Sequence, residues 1–244
     1  MKKLVFLTGA GISAESGIKT FRDSNGTWEN HNVMDVASIP GWRRNKELVL
    51  NFYNERRNQL DTVEPNEAHK MIAELEKVFD VHVITQNVDD LHERGGSSKV
   101  LHLHGELRKM CSSKDKDLTL PYTEDIKVGD KHEDGSQLRP FIVWFGEDVP
   151  KLGEAAQIVS EADIVVIVGT SMNVYPAAGL VDYVAKGVKI YYVDPKPNID
   201  DVLVKPILIE KVATEGVKDL MDILSEGEEF DGGPASVSSA FAAE

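Results

Sequence analysis

Short apolar runs rich in β-branched residues recur along the chain and are separated by longer stretches with helical periodicity. Runs of this kind are typical of strands buried in a parallel sheet. They predict strands at residues 4–7, 81–85, 164–168 and 189–193. Because these runs alternate with amphipathic stretches, we expect an α/β fold with helices on both faces of a parallel sheet.

Three of the amphipathic stretches can be placed as helices. Apolar residues recur at helical spacing over residues 46–60 and 215–224. A third helix is expected to begin at Pro65, whose fixed backbone angle suits a first helical turn, and to end near Phe79.

Two polar segments, residues 23–45 and 109–138, interrupt this alternation and are interpreted as insertions. We expect one domain over residues 1–226, with a Rossmann-like core and a small domain formed by the insertions. The core is assigned to residues 1–30, 80–108 and 139–226, and the small domain to residues 31–79 and 109–138. Residues 227–244 are rich in Gly, Ser, Ala and Glu and are predicted to be a disordered tail.

Composition and charge exclude several classes of protein. Of the 244 residues 41% are hydrophobic, and no apolar run approaches the ~20 residues of a membrane-spanning helix. The 27 basic and 41 acidic residues give a net charge of −14, which disfavours nucleic acid as a partner. The single cysteine, Cys111, excludes an intrachain disulfide. The apolar run at residues 4–7 is too short for an export signal, so we expect a cytoplasmic protein. We also expect a monomer without membrane contacts.

A glycine-rich segment follows the first predicted strand. Residues 9–14, Gly-Ala-Gly-Ile-Ser-Ala, fit the pattern G-x-G-x-x-G/A, in which backbone N–H groups approach a pyrophosphate at a helix N-terminus. A tight turn without a ligand explains the hexapeptide equally well. A dehydrogenase of the usual Rossmann type would carry an acidic residue on a second strand about 20 residues later, but the residues after Arg22 are typical of a loop.

The longer segment from Gly9 to Arg22 resembles the sirtuin signature GAGxSxxSGIxxFR at every fixed position. Further sirtuin-like blocks follow in family order, at residues 85–92, 104–107, 138–147 and 169–176. The resemblance implies an NAD-dependent enzyme that removes acyl groups from the lysines of proteins or peptides. Its products would be nicotinamide and 2′-O-acyl-ADP-ribose.

The same resemblance implies roles for individual residues, with His104 as the catalytic base and Asn87 as a second catalytic residue. The implied cofactor-binding residues are Gly9, Ala10, Gly11, Ser13, Glu15, Phe21, Arg22, Trp28, Gln86, Asn87, Asp89, Gly169, Thr170, Ser171, Asp194 and Ala213. The implied substrate-binding residues are Tyr53, Arg56, Val143, Phe145, Gly146 and Glu147. Residues 143–147 resemble the strand that pairs with an extended substrate backbone, and a core strand is the structural alternative.

Some of these positions also have structural interpretations. The polar residues 86–89 fit a turn that caps the following helix, a role compatible with ligand binding. On a regular strand His102 would share a face with His104, so periodicity does not choose between them and the family match alone selects His104. His92 is expected to be structural. Asp194 replaces a common Asn, and because its carboxylate would repel a 2′-phosphate we expect NAD rather than NADP.

The acyl preference rests on Tyr53 and Arg56, which lie at positions i and i+3 of the predicted helix 46–60. A Tyr-x-x-Arg pair here resembles the class III sirtuin branch, in which these side chains receive the carboxylate of succinyl- or malonyl-lysine. A solvated helix face is the alternative for the charged run 54–58. The resemblance favours succinyl and malonyl groups over acetyl.

The small domain departs from the family pattern, because most sirtuins bind structural zinc there with two Cys-x-x-Cys pairs. Cys111 matches the first ligand, whereas Lys114, Lys131 and Asp134 match the other three. We therefore expect no zinc or other metal, and a polar or ionic cluster of these three residues in a mobile module.

Two other functions are compatible with the same blocks. Mono-ADP-ribosyl transfer uses the same cleavage of NAD, and an NAD-binding sensor needs no turnover. The complete block 86–89 with His104 disfavours the sensor, and Tyr53 with Arg56 favours deacylation over ADP-ribosyl transfer.

Overall fold

The computed structural model describes residues 1–19, 27–28, 31–198 and 205–227. Its strands are β1 Lys3–Thr8, β2 Thr27–Trp28, β3 His31–Asn32, β4 Asp80–Thr85, β5 Val100–His102, β6 Gly105–Ser112, β7 Thr119–Pro121, β8 Leu138–Ile142, β9 Ile164–Val168, β10 Lys189–Val193 and β11 Ile207–Ile209. Its α-helices are α1 Val33–Val36, α2 Ile39–Arg44, α3 Lys46–Gln59, α4 Glu67–Glu74, α5 Leu91–Arg94, α6 Leu152–Ser160 and α7 Ala213–Gly227. Segments of 3-10 helix lie at Ala10–Ser16, Leu75–Lys77 and Ala177–Tyr183.

Within the described residues, six strands form a parallel sheet in the order β11-β10-β9-β1-β4-β5. The central strand is β1, where Leu4 pairs with Val81 of β4 on one side and with Ile164 of β9 on the other. All four predicted strands belong to this sheet, and the predicted parallel α/β fold is confirmed. None of the described helices is long and apolar enough to cross a bilayer.

Helices cover both faces of the sheet because successive residues of β1 point in opposite directions. Leu4 and Phe6 pack in one cluster with residues of α4 and α7. Val5 and Leu7 pack on the opposite face with residues of α6 and the 3-10 helix Ala177–Tyr183. The sheet is therefore buried on both sides, as its unbroken apolar strands predict.

Helix α4 begins at Glu67, two residues after Pro65, where the sequence predicts its start, and Asn66 caps it. The Asn66 Oδ1 accepts a hydrogen bond from Ala68 N at 3.0 Å. The Asn66 Nδ2 donates to Ile12 O at 2.8 Å and to Ser16 Oγ at 3.0 Å. One side chain thus caps α4 and holds it against the glycine-rich turn after β1.

The small domain has an apolar cluster of its own, to which helices α1–α3 contribute together with β6 and β8. In the described part of the chain β6 is the middle strand of a three-stranded antiparallel sheet, β7-β6-β8, which the sequence did not predict. Helix α4 was assigned to the small domain with residues 31–79, but it packs on the parallel sheet through Ala68, Ile72 and Leu75. Those three residues form one apolar face. The first part of the small domain therefore ends before α4 and not at residue 79, as the sequence analysis placed it. Beyond Gly227, the predicted tail lies outside the described residues.

A hydrogen-bonded cluster lies where the resemblance places the zinc ligands. Ser112 is fully buried, and its Oγ donates to Asp134 Oδ2 at 2.5 Å and lies 2.8 Å from Ser136 Oγ. The same Oγ accepts hydrogen bonds from the backbone N–H groups of Lys114 and Asp115 at 3.0 and 3.1 Å. The hydrogen bond from Ser112 above all, together with those from the Ser136 side chain and backbone N–H, lowers the pKa of Asp134 to about 2.

Of the three residues predicted for this cluster, Asp134 takes the expected place. Lys114 contributes its backbone N–H, and Lys131 forms a backbone bridge with Gln137. The centre of the cluster is the Ser112 hydroxyl, because one hydroxyl both donates and accepts hydrogen bonds. The sequence analysis did not single out this residue.

Ser112→Ala is expected to lower the melting temperature by about 2–8 °C. The substitution leaves two backbone N–H groups and two side chains without their partner, at a cost of about 1–2 kcal/mol, and 1 kcal/mol corresponds to about 2–4 °C in a chain of this size. Calorimetry measures the change, and Ser113→Ala at the next, exposed position is the control.

EDTA should leave the melting temperature of the unmodified protein unchanged. Stoichiometric zinc in the purified protein would contradict a metal-free cluster.

Candidate active site

A cleft of about 590 Å³ opens at the carboxyl ends of the central strands, between the parallel sheet and the small domain. This is where open α/β sheets bind ligands. The predicted site residues that line it are Gly9, Ala10, Gly11, Glu15, Trp28, Tyr53, Gln86, Asn87, Asp89, His104, Val143, Phe145, Gly146, Glu147, Gly169, Thr170, Ser171, Asp194 and Ala213.

Two of the predicted residues that the structure describes do not line the cleft. Ser13 is buried behind its wall, and Arg56 lies beside it on α3. Phe21 and Arg22 lie outside the described residues.

Two glycines let the turns after β1 and β9 approach each other. Gly11 N donates to Gly169 O at 2.8 Å, and a Cβ on Gly11 would lie 2.6 Å from the Gly169 Cα. Gly169 also has a φ of +60°, which few other residues adopt. The segment Ala10–Ser16 forms a 3-10 helix here rather than the α-helix of a simple Rossmann turn.

Polar residues after β4 form a connected group under the glycine-rich segment. The Asn87 Nδ2 donates to Ser13 Oγ at 3.1 Å, and Ser13 Oγ donates to Asp89 Oδ2 at 3.1 Å. Asp89 also accepts a hydrogen bond from Leu91 N at 3.2 Å, so it has the capping role given above as an alternative. Burial raises the pKa of Asp89 to about 6. The Gln86 amide reaches across to Thr170 Oγ1 at 3.1 Å.

His104 and His102 occupy different environments. The His104 ring lines the cleft, and its Nδ1 lies 3.1 Å from Gln86 O, a contact that places the proton on Nδ1 and leaves Nε2 as a base. Burial lowers the pKa of His104 and so favours its neutral form. His102 ends β5 and does not line the cleft. The two do not share a strand face, because β5 ends at His102 and His104 lies in the connection that precedes β6.

His92 has the structural place that was expected for it. The ring is buried, and its Nε2 lies 3.0 Å from the Thr8 Oγ1 at the end of β1.

Three predicted cofactor positions carry additional contacts. Both carboxylate oxygens of Glu15 accept hydrogen bonds from Thr214, from its N at 3.0 Å and its Oγ1 at 2.7 Å, so Glu15 caps the start of α7. Asp194 is buried and its Oδ1 accepts a hydrogen bond from Lys196 N at 2.8 Å. Thr170 O accepts a hydrogen bond from the hydroxyl of Tyr192 at 2.7 Å.

Two lysines line the cleft that the sequence analysis did not assign, Lys19 and Lys196. Lys19 occupies a variable position of the signature, and Lys196 follows a strand end by three residues. The sequence could have indicated both lysines, because each lies close to a signature residue or a strand end that was assigned to the cofactor site. Cationic side chains in these places suit a phosphate group.

Residues 143–147, predicted as a strand, follow the end of β8 as an irregular segment. Val143 N donates to His104 O at 2.9 Å, and Phe145 N donates to Ala37 O at 2.9 Å. Phe145 thereby forms an isolated bridge with Ser38, while its side chain is 43% exposed. The segment therefore bonds to the chain before β6 and to the turn between α1 and α2.

The Glu147 side chain holds this segment to the small domain. Arg139 donates to both Glu147 oxygens at 2.9 and 3.2 Å, and Trp144 N donates to Glu147 Oε2 at 2.8 Å. The Arg139 guanidinium also lies 3.5 Å from the centre of the buried Trp144 ring. Glu147 therefore has a structural partner besides its place on the cleft, and Trp144 is a core residue.

Tyr53 and Arg56 differ in their relation to the cleft. The Tyr53 hydroxyl accepts a hydrogen bond from Trp144 Nε1 at 3.1 Å, and burial raises the pKa of Tyr53 well above its usual value. Arg56 folds over Phe52, with its guanidinium carbon 4.4 Å from the ring centre. Its NH1 donates to Phe52 O at 3.2 Å, and its buried Nε has no hydrogen-bond partner among the described residues.

Comparison with known proteins identifies the family. The model of the Sir2 family matches residues 9–176. An NAD-dependent protein deacylase of Bacteroides thetaiotaomicron is 56% identical over 92% of this chain and 98% of its own length, and one of Helicobacter pylori is 54% identical over 93% and 99%. A solved complex of a Sir2 homologue with NAD, 37% identical, covers 93% of this chain and 90% of that chain with a TM-score of 0.82. The predicted resemblance is confirmed, and the chain belongs to the Sir2 family.

Proposed function

We propose that this protein is an NAD-dependent protein-lysine deacylase that releases nicotinamide and 2′-O-acyl-ADP-ribose. The observation that carries the proposal is the place of His104 in the cleft. Its ring lines the cleft beside the residues that follow β4, and its carbonyl accepts the hydrogen bond from Val143 that begins the 143–147 segment. A neutral base therefore lies where the glycine-rich end of the cleft meets the proposed peptide-binding end.

The fit of NAD is supported by the backbone and the charges of the cleft. The close contact between Gly11 and Gly169 keeps side chains out of this end of the cleft, so that a pyrophosphate can approach the turn. The buried Asp194 carboxylate accepts from ribose hydroxyls and repels a 2′-phosphate, which favours NAD over NADP. Bound NAD supplies the nicotinamide–ribose bond, whose cleavage leaves ADP-ribose as the acyl acceptor.

The protein's own residues bind, orient and move a proton. Gln86 and Asn87 carry amide groups suited to a carboxamide or ribose hydroxyls. Each amide is held by a hydrogen bond, that of Gln86 to Thr170 and that of Asn87 to Ser13. His104 accepts the proton of a ribose hydroxyl at Nε2. Phe145 and Gly146 of the 143–147 segment contact the lysine stem and peptide backbone of the substrate.

The acyl preference follows from Tyr53 and Arg56, and we propose that it is for succinyl and malonyl over acetyl. Tyr53 lines the cleft, and Arg56 lies one turn later on α3 with a buried Nε that has no partner in the described chain. Its contacts to Phe52 O and Glu55, at 3.2 and 3.4 Å, are long. A carboxylate beside Tyr53 would give the guanidinium a bidentate partner when its side chain turns away from Phe52.

The remaining elements of the proposal concern partners and location. Acylated proteins or peptides are the substrates, and the enzyme acts as a cytoplasmic monomer. The single, buried cysteine supports a reducing compartment. The net charge of −14 argues against nucleic acid as a partner.

His104→Gln should reduce nicotinamide release by about 10²- to 10⁴-fold, because the amide cannot take up a proton. The assay combines NAD with matched acetyl-, malonyl- and succinyl-lysine peptides and follows nicotinamide and peptide mass. His82→Gln, on β4 and not lining the cleft, is the control. Because burial lowers the pKa of His104, the loss of kcat/KM at acidic pH should have its midpoint below the ordinary histidine value of about 6.5. ADP-ribose attached to protein, or no release with any peptide, would contradict the proposal.

Gly11→Ala should weaken NAD binding at least about tenfold, since its Cβ would lie 2.6 Å from the Gly169 backbone and push the two turns apart. Isothermal titration measures the affinity. Gly153→Ala is the matched control, because no atom lies within 4 Å of its added Cβ. An unchanged affinity in the folded variant would show that the turn contact does not shape the NAD site.

Arg56→Met should lower kcat/KM for the succinyl peptide by about 30-fold or more, equivalent to about 2 kcal/mol for a lost partner of a desolvated charge. Deacetylation should change by less than about threefold, because an acetyl group offers no carboxylate. Arg43→Met, at an exposed position of α2, is the control. Equal loss of both activities would reject Arg56 as the source of acyl preference.

A further inference from the structure

His102 lies behind the cleft and has no part in the function proposed above. It ends β5, and its side chain is 7% exposed. Its Nδ1 lies 2.9 Å from Asn87 O, and its Nε2 lies 2.7 Å from Glu93 Oε1 on α5. A carbonyl and a carboxylate only accept hydrogen bonds, so both ring nitrogens must carry hydrogen. The geometry therefore requires an imidazolium.

The electrostatic surroundings favour the same state. Burial lowers the pKa of His102, but the bond to Glu93 and its charge raise it above the ordinary value. Glu106 adds negative charge near the ring, which also raises the pKa of His102. Asp89 and His92 interact electrostatically with the same ring. Lys109 Nζ donates a hydrogen bond to Glu106 Oε2 at 2.6 Å.

His102 and His104 together hold two consecutive carbonyl groups. His104 Nδ1 contacts Gln86 O at 3.1 Å, while His102 Nδ1 contacts Asn87 O. Both residues whose carbonyls are held have side chains on the cleft. The neutral ring of His104 is free to act as a base, whereas the charged ring of His102 is saturated and can only anchor.

We propose that His102 is a positioning residue which, as an imidazolium held by Glu93, fixes the Asn87 backbone and thereby directs the Asn87 amide into the cleft. This inference rests on the proposed deacylase function. If His102 lost its second proton, the single remaining hydrogen would go to the carboxylate of Glu93, the stronger acceptor, and Asn87 O would lose its donor.

Two isosteric substitutions separate this role from simple packing. In His102→Asn the amide nitrogen replaces Nδ1 and keeps the bond to Asn87 O, whereas in His102→Gln it replaces Nε2 and keeps only the contact with Glu93. We expect kcat for acyl-dependent nicotinamide release within about threefold of the unmodified protein for His102→Asn, and about tenfold or more below it for His102→Gln. Melting temperatures should fall by similar amounts. Equal kcat values for the two variants, or the reverse order, would overturn the proposal.

A readout without substrate or cofactor tests the charge state directly. In ¹⁵N-histidine-labelled protein at pH 7.5, both ring nitrogens of His102 should carry hydrogen, while His104 should be neutral with hydrogen on Nδ1. A neutral His102 would overturn the proposal even if the enzyme is active. If nicotinamide release failed in the unmodified protein while His102 was doubly protonated, the function would be wrong and the anchor would remain.

Glu93, His102 and Glu106 each offer one atom that could bind a metal ion, and these three atoms lie within 4.8 Å of one another. A divalent cation is therefore the alternative to a second proton on His102 as the group that holds this cluster together. EDTA treatment of the unmodified protein distinguishes the two. Unchanged kcat supports the imidazolium, and a fall that matches His102→Gln and is reversed by added Zn²⁺ would overturn it.

Discussion

The turns after β1 and β9 meet through backbone alone, and the position of the cleft wall depends on this contact. With 2.8 Å between Gly11 N and Gly169 O, there is no room for a side chain on either residue. The 3-10 helix that follows is held at its far end by Asn66 and by the bond between Glu15 and Thr214. Because these anchors are all within the protein, the wall is formed before any ligand arrives.

The centre of the cleft is organised by hydrogen bonds within the protein. Ser13, on the glycine-rich segment, binds the side chains of Asn87 and Asp89, while two histidine rings bind the backbone of residues 86 and 87 from the other side. The Asn87 amide is thus fixed by bonds to both its side chain and its backbone. Fixing polar groups in advance lowers the reorganisation that a reaction would otherwise require.

The sequence was sufficient for those features that depend on local pattern. The strands at residues 164–168 and 189–193 have the predicted bounds, because continuous apolar runs report burial on both faces. Pairings between distant segments were not predictable: Glu15 binds Thr214, and β6 pairs with β8 across a polar insertion. Residue types at the strand ends indicated the site, but which groups face the cleft and which anchor from behind depends on tertiary contacts.

In the small domain, a cluster of hydrogen bonds lies where the resemblance implies zinc ligands. Cys111 stands at the first ligand position that the resemblance implies, where it is buried, and burial raises its pKa to about 11. The neighbouring Ser112 hydroxyl joins the end of β6 to the segment that precedes β8. On the same sheet, Arg139 of β8 pairs with Glu147. The link from the small domain to the 143–147 segment therefore rests on strand pairing and this ion pair, neither of which needs an ion to be bound.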